Sequence, residues 1–478
     1  MVKDGFKDPQ GGVEKMLSPV VVYTCFAVAG ALTLMVFGLK FAVTGFGVYG
    51  DGLGYYTPLR SLLFDGNLRV DNEYRYYAEA TAQFGAGARV FGEIPEYSKY
   101  TLGLGIILLP FFVLGHIVGQ LLNAWGGEVV LNGMTWPYEF FYCLGSVTLG
   151  VGSLVLSYAL ARRYCSRLAS LLAVIGIWFA SPLSFYLLVE VSMSHAVSAF
   201  LIAAFLWVTF TRPWERRWVW QLWLGILIAM ATWVRPQDGL FLVIPPLWSG
   251  LQHFGPSGLR SPTRVPISQL ALVRAVAVMG LVALGGQIPQ ILIYISQYGG
   301  IDQVPYLAEG QAQGYGSSFR WGQPALWQVL WSGHRGLFIW HPLLLLSITG
   351  LILLFRQQKA LALALLVGFS LQVYFVASWW CWWQGASVGG RMFANCTAIF
   401  ILGLAWFWDW LGTALSRWWV ALGLTIFLII WNALIILQYQ SALIPPESPV
   451  TWGQLYGNQL RVLPFFWSHL QGRFWGGE

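Results

Sequence analysis

Charged residues are scarce in this chain of 478 residues: they make up only 10% of it, whereas hydrophobic residues make up 57%. An ordinary soluble domain carries roughly 25% charged residues, and the fraction of surface that a globular fold buries rises only slowly with size. The composition therefore excludes a water-soluble globule. Because disordered chains are poor in hydrophobic residues, the same numbers exclude intrinsic disorder. The remaining class is a polytopic membrane protein.

Cysteine is equally rare, with five residues in the whole chain. None forms a CxxC pair or a spacing typical of metal ligands, so the sequence indicates neither a disulfide framework nor a zinc site. Repeats with a period of roughly 20–50 residues, which mark solenoids and propellers, are lacking as well. The cysteines are Cys25, Cys143, Cys165, Cys381 and Cys396.

Basic residues outnumber acidic ones and give a net charge of +7. A nucleic-acid partner would require these charges to gather in one patch, but they are dispersed among short loops. The loops that carry them alternate along the chain, which is the pattern of cytoplasmic loops in membrane proteins. We therefore predict no nucleic-acid partner, and a multi-pass protein of the plasma (inner) membrane with a cytoplasmic N-terminus.

About eleven apolar runs are long enough to cross a bilayer, which takes about 20 residues per helix. The polar leader, 1–17, continues into the first run without a small-residue cleavage pattern, so we expect an anchor there. We predict an all-α polytopic fold with one transmembrane domain, 18–437, and an outer-face tail, 438–478. The runs lie near 18–45, 138–161, 168–188, 194–211, 218–235, 239–251, 268–296, 336–355, 360–378, 392–411 and 418–437.

One further apolar segment, 100–123, conflicts with this orientation if it crosses fully, because every later Arg-rich loop would then lie outside. Pro110 stands in its middle with several glycines around it, as in a broken helix. We predict a re-entrant or juxtamembrane helix pair, which is tolerated where protein or water covers the backbone. This pair follows the long first outer loop, 46–99, and the other long outer loop is 297–335.

Acidic side chains follow two span ends on the outer face. Asp51 stands between two glycines in GDGLGYY; glycine lets a ligand approach the backbone, and a carboxylate there is a candidate general base. A plain turn aspartate is the alternative. Glu190 and His195 lie in EVSMSH and converge on an acceptor or a metal only if the backbone breaks between them. A polar interfacial turn is the alternative.

Four cations stand at outer span ends: Lys99, Arg235, Arg335 and Arg391. Cations are uncommon on the outer face of a membrane protein, and a phosphate ligand would account for them. Structural roles are the alternative, since Lys99 can be a snorkelling anchor and Arg235 can pair with Asp238 three residues further on.

Aromatic and polar residues accompany these cations. In WWCWWQGASVGGR, four tryptophans precede a glycine-rich run that ends at Arg391, which differs from a simple interfacial belt. His334, flanked by Gly333 and Arg335, joins Asp238 as a candidate for binding an acceptor or a metal. Aromatic faces pack well against the apolar faces of sugar rings. The candidate sugar-stacking residues are Tyr55, Tyr56, Trp380 and Trp383.

All of these residues fall on one face under the predicted orientation. Cations and carboxylates gathered at one cavity at membrane level suit an anionic, lipid-linked ligand. A transporter is expected to show inverted repeats and paired broken helices near the midplane, and the sequence shows neither. Two alternatives stay open: a lipid or solute transporter, and a glycan polymerase or ligase that takes a diphosphate-linked oligosaccharide.

The motifs resemble those of the GT-C superfamily of integral-membrane glycosyltransferases, in the branch of the protein O-mannosyltransferases and the lipid A aminoarabinose transferase. The resemblance is carried by GDGLGYY, SKYTLG, EVSMSHA, RPQDG, GHRG and WWCWWQGASVGGR. The chain departs from the mannosyltransferases in that Gly52 follows Asp51, where an Asp-Glu pair is typical. It also lacks an Asp-Pro in the second outer loop.

The resemblance implies a glycosyltransferase with an extracytoplasmic active site. Its donor would be a sugar linked to a polyprenyl phosphate, and its acceptor a hydroxyl of a lipid, a glycan or a protein. By the same resemblance, Asp51 matches the catalytic acidic residue and Lys99 matches the residue that contacts the carrier phosphate. Glu190 or His195 matches the residue that binds the acceptor or a metal.

The charges of the site then suggest a mechanism. We expect Lys99 and Arg391, with Arg335 or Arg235, to hold the donor phosphate and to stabilise it as it leaves. Asp51 would take the proton of the attacking hydroxyl. The glycine-rich loop 297–335 is expected to act as a lid. A divalent cation stays open as a cofactor.

Overall fold

The computed structural model describes residues 18–82, 90, 93–260, 265–415, 417–465 and 467–468. The predicted cytoplasmic leader, 1–17, lies outside the described residues, as does the end of the predicted tail, 469–478. Within the described ranges the fold is all-helical and has no strand, which confirms the predicted class. Two isolated bridges, Arg69 with Tyr97 and Phe319 with Trp379, are the β-type pairings found there.

Seven helical stretches of the described chain are long and apolar enough to cross a membrane. Three shorter apolar helices accompany them, so the predicted number of crossings, about eleven, stays a prediction. The seven stretches are Pro19–Thr44, Gly103–Ala124, Trp136–Ala161, Gln269–Tyr298, Lys359–Ser378, Arg391–Gly412 and Trp418–Gln440. The three shorter helices are His195–Thr211, Trp218–Val234 and Leu343–Leu354.

The other helices are short and connect or cover these stretches. They are Asp51–Phe64, Asp71–Ala82, Arg167–Phe179, Pro182–Leu188, Ile244–Phe254, Pro305–Ala312, Leu326–Trp331, Leu337–Trp340 and Trp452–Gly457. Three further segments are 3₁₀ helices: Pro236–Val243, Arg391–Cys396 and Asn458–Leu460. Two of the long stretches are themselves composite, made of Gln269–Gly285 with Ile288–Tyr298, and of Arg391–Cys396 with Thr397–Leu415.

One candidate span is broken just before the second outer loop. The helices Arg167–Phe179 and Pro182–Leu188 meet at an angle of 65°. Ser181 starts the second helix with a capping box, in which its hydroxyl accepts from the Leu183 amide and Ser184 accepts from the Ser181 amide. A capping box satisfies the amides at the start of a helix, so the bend is built into the sequence. The bend directs the chain towards Glu190.

The segment predicted as a broken helix pair is one continuous helix, Gly103–Ala124, with Pro110 inside it. The predicted break is wrong because a proline can be accommodated within a helix when the rest of the helix satisfies its backbone bonds. We call this element the juxtamembrane helix, and Asp51–Phe64 the first-loop helix. The juxtamembrane helix has 22 residues and is therefore about 33 Å long.

The juxtamembrane helix and the segment after it both contact the first-loop helix. Near the start of the juxtamembrane helix, Gly105 packs against Leu59. After the helix ends, the chain folds back along it, so that Leu131 lies beside Gly119 and Pro137 beside Gly115. In this returning segment the carbonyl of Gly133 accepts the Tyr56 hydroxyl at 2.7 Å, and the carbonyl of Asn132 accepts Nε of Arg60 at 2.9 Å.

The next long helix, Trp136–Ala161, starts at the same end of the bundle. Its Glu139 carboxylate accepts the amides of Gly47 and Val48, just beyond the first helix, at 3.0 and 3.1 Å. From there it runs antiparallel to the first helix, because Phe140 stacks on Phe37, 5.3 Å away, while contacts further along lie nearer the start of the first helix. The end of helix Pro19–Thr44 and the start of helix Trp136–Ala161 therefore lie together at one end of the bundle. We call the charged residues near this end, Asp51, Lys99, Glu190 and Arg391, the polar region.

Small residues let the central helices pack closely. A side chain on Gly350 would overlap the carbonyl of Gly403, so Leu343–Leu354 and Thr397–Leu415 approach backbone to backbone. Close packing through small residues is the usual way in which membrane helices associate. This close packing positions the 3₁₀ helix Arg391–Cys396, because that helix continues directly into Thr397–Leu415. Its first residue, Arg391, lies in the polar region.

Candidate functional site

Asp51 is the first residue of the first-loop helix, and we call the partly exposed cluster of Asp51, Lys99 and Arg391 the opening. The Asp51 carboxylate accepts Nη1 of Arg391 at 3.1 Å, and the Tyr100 hydroxyl helps to lower its pKa. A helix N-terminus favours a carboxylate because the amides there carry partial positive charge. The Asp51 side chain is 38% exposed although it is ion-paired, so a ligand can reach it.

The glycines of the GDGLG motif allow this helix to enter a crowded place. A side chain on Gly52 would overlap Ser192 in the segment that follows Glu190, and a side chain on Gly54 would overlap the ring of Tyr100. Glycine permits such close approaches because it has no Cβ. Asp51 is thereby held against the loop that carries Glu190 and against the segment that carries Lys99.

Arg391 is the central cation of this region. Two glycines with left-handed backbone, Gly389 and Gly390 with φ of 39° and 55°, turn the chain just before it. Its side chain is 13% exposed and binds Asp51, while its charge also acts on Glu190. The glycine-rich run after the tryptophans therefore positions Arg391 between the carboxylates of Asp51 and Glu190.

The two carboxylates differ in their proton affinity. Burial raises the pKa of Asp51, but the positive charge of Arg391, the Tyr100 hydroxyl and Lys99 outweigh it and hold the pKa below the ordinary range of an aspartate. Burial raises the pKa of Glu190 to about 7, although Arg391 and Lys40 act against this shift. Asp51 is therefore ionised at neutral pH, whereas Glu190 titrates there.

Lys99 lies at the edge of the same region. Its ammonium donates to Oε1 of Glu309 at 2.7 Å, and it lies 5.5 and 5.7 Å from the ring centres of Tyr100 and Tyr306. Its positive charge acts on Asp51. The structure thus brings together the predicted base and the predicted phosphate-binding lysine, which are far apart in the chain.

His195 and Arg235 form a second layer behind Arg391. Nη1 of Arg235 contacts Nδ1 of His195, and its Nη2 contacts the sulfur of Met392. The His195 ring lies 3.9 Å from that of Tyr186. Among the described residues, Nε of Arg235 has no hydrogen-bond partner although it is buried. Arg235 is therefore a buried cation close to the site.

The structure places two other predicted residues in supporting positions. Arg335 donates from Nε to the Ser387 carbonyl at 3.0 Å and from Nη2 to the Pro445 carbonyl at 3.1 Å. It is 1% exposed, so its guanidinium holds the tail against the Arg391 loop. Asp238 is fully buried and accepts from Ser198 and from Asn395, which takes it away from any acceptor or metal.

His334 is also used within the protein. Its Nδ1 bonds Nη1 of Arg335 at 2.9 Å, and its ring stacks on Trp383, 5.7 Å away. Burial and the charge of Arg335 lower the pKa of His334 to about 4. The imidazole is therefore neutral at physiological pH and can accept from the arginine.

The predicted sugar-stacking residues divide into two groups. Tyr56 is fully buried and packs on Tyr142, with ring centres 5.0 Å apart, so it belongs to the core. Tyr55 points the other way but is also buried: its ring lies 4.4 Å from Tyr100, and its hydroxyl accepts from Ser194. Trp380 and Trp383 are half-buried and pack on each other.

Two charged residues of this region were not among the predicted site residues. Glu309 binds Lys99, and Lys40 of the first helix donates to Tyr49 and to the Val189 carbonyl beside Glu190. A lysine within an apolar span is itself a signal of function. For Glu309 the sequence offers only its place in a glycine-rich outer loop.

The last property of this region is its capacity to bind a metal ion. Within the part of the chain that the structure describes, no three His, Cys, Asp or Glu side chains are grouped as metal ligands. Asp51 already binds a guanidinium, and His195 contacts another. These residues do not form a metal site by themselves, and we assign no step to a metal.

Fold and site together define an all-α multi-pass membrane protein whose polar residues converge at one end of the helix bundle. No family model matches the chain, and no curated protein matches it. Solved structures of similar fold include an oligosaccharyltransferase from Archaeoglobus fulgidus in complex with Zn and sulfate, with 14% identity and a TM-score of 0.46. That match covers 87% of this chain and 55% of the other, so this chain spans about half the length of the oligosaccharyltransferase.

Two further structures are similar at the same level. ArnT from Cupriavidus metallidurans in the apo state has 14% identity and a TM-score of 0.46, and the match covers 95% of this chain and 73% of ArnT. The oligosaccharyltransferase AglB from Archaeoglobus fulgidus, in complex with an inhibitory peptide and a dolichol-phosphate, has 12% identity and a TM-score of 0.43. That match covers 93% of this chain and 54% of AglB. The chemistry of the site is drawn from the residues of this chain.

The close approach of Gly52 to Ser192 gives a test of the site's construction. We predict that Gly52→Ala lowers the free energy of unfolding by about 1–3 kcal/mol, the usual cost of overpacking, measured as thermal unfolding in detergent. Ser192→Gly should restore stability in the double variant. Gly38→Ala is the control, because nothing lies within 4 Å of a side chain there. Equal stability of Gly52→Ala and wild type would contradict the described packing.

Proposed function

We propose that this chain is a membrane glycosyltransferase that moves a sugar from a polyprenyl-phosphate-linked donor to an acceptor hydroxyl on the extracytoplasmic face. The observation that carries the proposal is the meeting of Asp51, Arg391 and Lys99 at one opening. An exposed carboxylate paired with an arginine, beside a lysine, offers a base and two phosphate-binding cations within one region.

The bonds exchanged in this reaction account for each of these groups. The acceptor oxygen attacks the anomeric carbon and forms the new glycosidic bond. The bond between the anomeric carbon and the phosphate oxygen breaks, and its electron pair stays on the phosphate. The hydroxyl proton passes to Asp51. The products are a glycosylated acceptor and a polyprenyl phosphate.

Arg391 links binding of the donor phosphate to the proton affinity of Asp51. In the resting site its charge lowers the pKa of Asp51, which makes Asp51 a weak base. A donor phosphate that binds Arg391 shares that charge, so the proton affinity of Asp51 rises when the donor is present. Fixed cations also stabilise the charge that develops on the leaving phosphate, without the cost of reorganising water.

The surrounding residues supply orientation. Glu190 lies in the loop that packs on Gly52 and is placed to accept a hydrogen bond from the acceptor. The half-buried Trp380–Trp383 segment offers aromatic faces for the sugar or the acceptor. Arg235, with one buried donor unused, supports the phosphate from behind Arg391. Apolar faces of the surrounding spans would hold the prenyl tail.

Replacement of Asp51 tests the proposed base. We predict that Asp51→Asn lowers transfer by roughly 10²–10⁴-fold, the usual contribution of a positioned base, because an amide cannot accept the proton. Donor binding should persist, since Arg391 loses a competing partner. The measurement is formation of a covalent product from a polyprenyl-phosphate sugar in detergent. Glu447→Gln, at an exposed acid of the tail, is the control; full activity of Asp51→Asn would exclude it as the base.

The pH dependence tests the role of Glu190. Its pKa of about 7 means that the carboxylate is ionised above this pH and neutral below it. We predict that wild-type transfer falls as the pH drops through about 7, because the protonated form accepts poorly from the acceptor hydroxyl. In Glu190→Gln this limb should vanish and the rate should be uniformly low. An unchanged pH–rate profile in the variant would assign the limb to another group.

A further inference from the structure

The partner of Lys99 in the resting site is a carboxylate from a different loop. Oε1 of Glu309 lies 2.7 Å from the Lys99 ammonium, and the two side chains are 24% and 38% exposed. We propose that Glu309 occupies the place that the donor phosphate takes on Lys99, so that binding exchanges one anion for another. This inference rests on the proposed function and adds Glu309 to the donor site as a residue that sets its affinity.

The environment of Lys99 favours one anion at a time. The rings of Tyr100 and Tyr306 flank the ammonium, and Tyr306 meets Tyr100 edge-on at 5.7 Å. These rings limit the directions from which an anion can approach. A lysine binds phosphate as a compact point charge, so Glu309 and a phosphate compete for the same side of the ammonium.

The exchange needs little movement of the backbone. Glu309 lies in the helix Pro305–Ala312, which is tied down independently of Lys99. The Gly310 amide donates to Ser318 at 2.8 Å, and the Ser318 carbonyl accepts the Trp380 amide at 2.8 Å. Rotation of the Glu309 side chain into water therefore frees Lys99 while the helix stays in place.

The other cation of the opening cannot be freed in the same way. Arg391 is paired with Asp51, the proposed base, and breaking that pair changes the catalytic group itself. Exchange at Lys99 does not require the pair of Asp51 and Arg391 to break. Lys99 is therefore the cation at which an incoming phosphate displaces an anion that has no part in the chemistry.

The charges of donor and product imply a second role for Glu309, in the release of the product. A sugar-linked polyprenyl phosphate is a diester with one negative charge, whereas the product is a monoester whose second pKa lies near 6 and which carries almost two. The product would bind Lys99 more strongly than the donor does. Glu309 counteracts this by competing for Lys99 as the product leaves.

The test is the affinity of the full chain for a short polyprenyl monophosphate in detergent, measured for matched variants. Glu309→Gln keeps the shape of the side chain and removes its charge, and we expect roughly twofold to fivefold tighter binding, the range of a partly exposed ion pair. In the Lys99→Gln background the same change should have no effect. Asp302→Asn is the control, since this exposed acid of the same loop hydrogen-bonds Gln303 instead.

Each result bears on a separate claim. Unchanged affinity in Glu309→Gln, an equal gain in Asp302→Asn, or a gain that persists without Lys99 would each overturn the exchange. The expected pattern of affinities without any covalent transfer would support the exchange and contradict the proposed function. Failure of the wild type and of Glu309→Gln to bind the lipid phosphate would contradict both.

Discussion

The ion pair between Asp51 and Arg391 is the constraint on which the polar end of this molecule depends. It joins residues 340 positions apart in the chain, one at the start of the first-loop helix and one at the start of a late crossing. An exposed ion pair contributes little to stability by itself, so the surrounding packing must hold the two groups together. Glycines at 52, 54, 389 and 390 provide that packing by allowing the backbone to turn or to approach closely.

Around this pair, buried polar residues stabilise the fold, whereas partly exposed residues are available to a ligand. Arg335, Asp238 and Tyr56 are buried, and their polar groups are used by the protein itself. Lys99, Asp51 and Glu309 are partly exposed. A buried arginine bound to carbonyls orders a loop, whereas an exposed lysine bound to one carboxylate can change its partner. The distinction lies in the surroundings of each group, since charged residues occur in both sets.

The sequence was sufficient for the class of fold and for several of the residues that meet at the opening. Scarcity of charge and the length of the apolar runs predict membrane helices, and charge on alternate loops predicts which ends share a face. The motifs around Asp51, Lys99, Glu190 and Arg391 are therefore predicted to converge, and the structure brings them together. The break at Pro110 was predicted wrongly, because local sequence does not reveal how neighbours satisfy the backbone.

The roles that the sequence could not assign are those decided by distant partners. Tyr55 and Tyr56 are neighbours on one helix, so they point about 100° apart, at 3.6 residues per turn. Almost the whole helix is buried, and no amphipathic pattern indicates which tyrosine faces the site. Likewise, the partner of Glu309 lies 210 residues away, and one of the carbonyls that bind Arg335, that of Pro445, belongs to the tail. Spacing along the chain carries no information about such contacts.

The most direct measurement is an experimental structure of the full chain in a lipid nanodisc with a polyprenyl monophosphate bound. The account predicts phosphate density within hydrogen-bond distance of both Lys99 and Arg391, with the prenyl tail leaving between spans. Phosphate bound at the opposite end of the bundle, or at a site that neither cation reaches, would contradict it.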